Sequence, residues 1–151
     1  MAIVNIGDLF HRAENFEHRI ERYYARIRDE TENGGVRLLT YYLARHRRHL
    51  EQVLKDFDKK VVEKVRNVQL KYDVEFSSEQ AFSLFETDPK MVTSDELLSV
   101  AAAYDSELIN LYKKVLEQPI GEDATMVFEN LVRVEERDIV MIKKMTAMHY
   151  F

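Results

Sequence analysis

The 151-residue chain carries four glycines and two prolines, and this scarcity of turn residues constrains its fold more than any other feature. A many-stranded β fold needs a turn every few residues. Abundant Leu, Glu, Lys, Arg and Ala instead favour long helices. The length suits one domain, 1–151, with a sizeable core. A 46% hydrophobic and 32% charged composition describes a globular chain rather than a disordered one.

Four long amphipathic segments are predicted. The first runs from about Ile6 to Glu30 and ends near "ENGG", where Gly34 and Gly35 permit a reversal. The second starts near Val36 and keeps its helical pattern to at least Phe57, with "VVEKVRNVQL" as a possible continuation. The third begins after Thr93, which can cap it with Glu96 closing a capping box. It stops before "QPIG", because Pro119 and Gly121 disfavour continuation. The fourth opens at about Glu122, with Glu122 and Asp123 set against the N-terminal dipole.

Short turns join the first helix to the second and the third to the fourth, so each pair reads as an antiparallel hairpin. Roughly residues 71–92 form a longer crossover containing "SSEQAFSLFE", read as a short extra helix. The fold class expected is therefore all-α: an antiparallel four-helix bundle of two hairpins joined by a long crossover.

Tracing one face of each helix at alternating three- and four-residue spacing gives its core seam. The first is Phe10, Ala13, Glu17, Ile20, Tyr24, Ile27. The second is Leu39, Tyr42, His46, His49, Val53, taken from the stretch "YYLARHRRHLEQVL". The third is Leu98, Ala101, Asp105, Leu108, Tyr112, Val115. The fourth is Phe128, Leu131, Glu135, Asp138, Ile142, Met145. Each seam is apolar except at one level, where it carries an acid or a histidine. An alternative register of the fourth helix would turn Glu136 and Ile139 inward instead.

The two halves echo one another. Glu17 precedes Tyr24 by seven residues, as Asp105 precedes Tyr112. His46 and His49 are three apart, as are Glu135 and Asp138. Burying four carboxylates singly costs several kcal/mol each, so they must be neutralised together. Metal binding does this, as does pairing with protonated histidines or with Arg45 or Arg133. Oxygen and imidazole ligands suit iron, manganese or zinc, whereas thiolate chemistry is excluded by the absence of cysteine.

With these residues in place, the chain resembles the ferritin-like superfamily, and within it the small rubrerythrin-like proteins. That family has an acid and a tyrosine seven later on the first helix of each hairpin, and Glu-x-x-His on the second. Six such residues hold two metal ions. Here Glu17 matches the first acid and Asp105 replaces the second. His46 replaces the glutamate of the first Glu-x-x-His and His49 matches its histidine. Glu135 matches the second glutamate and Asp138 replaces its histidine. The resemblance implies that Glu17, His46, His49, Asp105, Glu135 and Asp138 are ligands to one or two iron or manganese ions, with zinc a further candidate. It also implies oxidoreductase activity on oxygen or peroxide, with electrons from an external donor.

The alternative expectation is a non-enzymatic bundle that has lost its metal and acts as a structural or protein-interaction module. The apolar ending "MHYF" suggests packing on a second subunit, hence a homodimer. A net charge of −5 speaks against nucleic acid as a partner, and "RHRRH" reads as a solvated arginine face. The N-terminus does not read as a signal peptide and no window spans a membrane, so the expected location is cytoplasmic.

Overall fold

The computed structural model describes residues 4–45, 48–76 and 88–148. Its described residues are all-helical, with a single isolated bridge between Asn5 and Gln69 and no β-strand among them. Helix α1 spans Ile6–Glu30, α2 Gly34–Arg45, α3 His49–Lys55 and α4 Lys59–Arg66. A 3₁₀ turn at Pro89–Met91 precedes α5, Ser94–Leu116, and α6, Glu122–Met148. No described helix is long and apolar enough to cross a membrane.

Local chemistry sets most of these boundaries. Asn5 Oδ1 accepts from Asp8 N at 2.8 Å, and Asp8 Oδ2 accepts from Asn5 N at 3.2 Å, a reciprocal cap that starts α1. Asn33 Oδ1 accepts from the amides of Gly35 and Val36 and so starts α2 one turn after α1 ends. Thr93 Oγ1 accepts from Glu96 N at 3.1 Å, which is the threonine half of the expected capping box. Gly121 takes φ 88° between α5 and α6, a conformation that glycine adopts at little cost.

The second predicted helix requires correction. Instead of running unbroken from Val36 to Phe57, it is divided into α2 and α3. Arg48 between them has φ −81° and ψ 50°, outside the helical region. A break of this kind exposes amide donors at the new helix start. One of them, Leu50 N, is taken up by the buried carboxylate of Glu17 at 3.4 Å, while Arg48 Nε donates to Glu21 Oε1 at 2.9 Å. The chain breaks again before α4, where Asp58 Oδ1 accepts from Lys60 N at 2.8 Å. The short helix expected over "SSEQAFSLFE" falls outside the described residues.

The most extensive packing is between α5 and α6, followed by α1 on α2; α3 lies on α6, α2 touches α5, and α4 lies on α1. Phe10 of α1 stacks on Phe128 of α6 with centroids 5.5 Å apart, and Tyr112 of α5 meets the same Phe128 ring at 5.8 Å. After α4 the chain returns to the start of α1. Ile6 N donates to Val68 O, Leu70 N donates to Val4 O, and Arg12 binds Asp73.

Tyr23 of α1 packs edge-on against Tyr104 of α5. Partial burial, and then the Glu96 carboxylate, push its phenol above the ordinary value of 10.0, with Arg26 opposing. Folding thus favours the neutral phenol. That contribution is fully present below about pH 10 and is lost as pH rises through the folded-state value. A ¹³Cζ-tyrosine NMR titration should find Tyr23 titrating above 10.0, and Glu96→Gln should narrow the shift without abolishing it. Titration at or below the ordinary value would contradict this packing.

Candidate metal centre

The helices bring their polar seam residues together from three elements. His49 is the first residue of α3, Asp105 lies midway along α5, and Glu135 and Asp138 sit one turn apart on α6. One ligand atom from each of the four lies within 4.8 Å of the others. Asp105 and Glu135 are fully buried, His49 is 5% exposed, and Asp138 is half-buried. His49 Nδ1 stands 3.0 Å from Glu135 Oε1.

Of the remaining two sequence candidates, only Glu17 is among the described residues. Glu17 on α1 is buried at 4% exposure, and its Oε1 reaches Leu50 N, one residue beyond His49. It belongs to the same polar level but is not one of the four clustered residues. His46 falls outside the described residues. The helix-six register is the one that turns Glu135 inward, for Glu136 is exposed and its nearest cation is Lys113 at 3.8 Å. Arg133 is exposed and bonds Asn130, and Arg45 is exposed on α2. Tyr24 and Tyr112 are fully buried.

Tyr42 is a neighbour that the sequence reading passed over as ordinary seam. Its phenol is pushed above 10.0 by burial first and by the charge of Asp138 second. Its place seven residues before His49 in the same seam was the available signal.

Three carboxylates this close repel strongly. Two unit charges 4.8 Å apart repel by about 3–4 kcal/mol at an effective dielectric near 20. The donor set suits a cation. An ion with ligands at about 2.1 Å sets octahedral cis donors about 3.0 Å apart and trans donors about 4.2 Å apart. The His49–Glu135 separation of 3.0 Å equals the cis value. The 4.8 Å outer limit exceeds the trans value by about 0.6 Å, within the reach of side-chain rotation. Imidazole among carboxylates disfavours calcium and magnesium and suits manganese, iron or zinc. The group could therefore hold a metal ion.

Comparison with protein-family models, with curated proteins and with solved structures finds no significant match to this chain.

Proposed function

We propose that the chain is a metal-binding protein of the ferritin-like kind, with His49, Asp105, Glu135 and Asp138 as ligands to iron or manganese, or to zinc. The observation that carries this reading is the convergence of four donors from three helices to within 4.8 Å in a largely buried position. Glu17 and His46 complete the ligand set if a second ion is held. Two hairpins, α1 with the α2–α3 segment and α5 with α6, would make the four-helix bundle. The contacts of α2 with α5 and of α3 with α6 support that arrangement.

Iron or manganese, when bound, supplies redox chemistry toward oxygen or peroxide. The chain's own part is to fix the ligands on helices and to keep water away from Asp105 and Glu135. Asp138 and Tyr42, the least buried of these groups, mark the side from which a small oxidant would arrive. An external electron donor, a homodimeric state and a cytoplasmic location complete the proposal.

Elemental analysis of protein purified from iron- and manganese-supplemented culture tests it directly. One or two ions per chain, lost in a His49→Ala/Glu135→Ala variant, are expected. Protein that is empty as purified and stays empty after anaerobic reconstitution would leave the second reading, a buried charge layer that fixes helix register without chemistry. The 3.0 Å contact of His49 with Glu135 is the observation that favours that alternative.

A further inference from the structure

A concave feature on the outer side of α1 and α2 has no part in the metal reading. It is an open groove of about 1220 Å³ between α1 and α2, and four arginines line it: Arg22 and Arg28 from α1, Arg45 from α2, and Arg48 beyond it. Glu21 is the one acid in the lining. The groove therefore carries three net positive charges in a chain whose formal charge is −5.

The arginines are not equivalent. Arg48 is committed to Glu21 at 2.9 Å. Arg28 donates to Thr40 Oγ1 at 3.2 Å and lies 4.0 Å over the Tyr41 ring, so its guanidinium is held in place. Arg22 and Arg45 form no ion pair with another described residue. They approach the groove from different helices, 23 positions apart in the chain. Beside them Leu38 and Tyr41 remain 60% and 56% exposed. Exposed apolar side chains beside guanidinium groups that have no ion-pair partner among the described residues offer a ligand both a stacking surface and charge.

We propose that this groove binds a nucleoside di- or triphosphate, its phosphates held by Arg22 and Arg45 and its base lying against Tyr41 and Leu38. The guanidinium fork matches phosphate oxygens in pairs, and several arginines favour a ligand with more than one phosphate charge. Cavities that enclose metabolites run to about 1,000 Å³, so the open groove is of the right order for a nucleotide. A long polyanion fits less well, because the acidic remainder of the chain would repel it beyond the groove. The inference is independent of whether metal is bound.

The test is calorimetric titration of the whole protein with ADP at low salt, beside pyrophosphate, adenosine and a single-stranded oligonucleotide. The expected result is saturable ADP binding, weaker pyrophosphate binding and no adenosine binding. Arg22→Ala/Arg45→Ala should weaken ADP by about tenfold or more. Both side chains are exposed, so circular dichroism should show the variant folded. A Leu38→Ala variant should weaken ADP more than pyrophosphate. Absence of saturable ADP binding, equal binding by the arginine variant, or tighter binding of the oligonucleotide than of ADP would each overturn the proposal.

Discussion

Replacing His49 with alanine should destabilise the metal-free protein by about 3–5 kcal/mol, the cost of breaking a buried pair by removing one member. The reason lies in the pair itself. His49 Nδ1 and Glu135 Oε1 are 3.0 Å apart, with side chains 6% and 0% exposed, so water cannot take over what the ring supplies. At about 2–4 °C per kcal/mol for a chain of this size, the melting temperature should fall by roughly 6–20 °C. His49→Gln keeps a donor at a similar reach and should recover part of the loss. The double variant His49→Leu/Glu135→Leu removes both polar groups, so its cost should fall well below the sum of the single ones. Urea denaturation of these proteins and of the single variants His49→Leu and Glu135→Leu, six in all, measures these terms. A His49→Ala cost below about 1 kcal/mol, in the range of exposed ion pairs, would mean that the pair contributes nothing beyond a surface contact.

That pair was visible in the sequence only as a level. Periodicity puts residues on a face, and the faces were legible. Of the seam residues predicted for the first and third helices, every one is buried, the acids Glu17 and Asp105 included. Glu135 is buried with them. Periodicity does not say which polar residues at one height will touch. Glu17 turns to the amide of Leu50, whereas Asp105 and Asp138 join His49 and Glu135. The difference follows from the break at Arg48, which frees an amide donor beside Glu17. Nothing in "RHRRHL" announces that break, since it contains neither glycine nor proline.

Other features were illegible because they depend on residues far apart in the chain. The start of α1 is sewn to the segment after α4 through Val4, Ile6, Val68 and Leu70, contacts that no helical spacing encodes. The arginine-lined groove is a second case. Within the sequence, Arg22 and Arg45 each look like a solvated helix charge. Only the packing of α1 on α2 brings them to one depression. Boundaries marked by local chemistry fared better, as the Thr93 cap and the Gly121 turn illustrate.

Asp105→Asn should change stability in opposite directions according to whether metal is present. The amide keeps the shape of the side chain and removes one of three negative charges clustered within 4.8 Å. In metal-free protein the relief of repulsion should stabilise the fold by about 1–2 kcal/mol, the remainder of the bare Coulomb term being taken up by local relaxation. The contact of His49 with Glu135 is left in place, which separates this variant from His49→Ala. With manganese or iron added, the order should invert. An ion at a hundred times its dissociation constant stabilises the native state by about 2.7 kcal/mol. Losing a ligand carboxylate should cost the variant about 100-fold or more in affinity, since even supporting residues are worth 10–100-fold. Thermal melts of both proteins across a metal titration, with bound ion counted by elemental analysis, should therefore cross. If the wild type gains nothing from metal while Asp105→Asn still stabilises it, the cluster is a charge layer alone. A crossing would show that the repulsion that weakens the empty protein is what gives the loaded one its affinity.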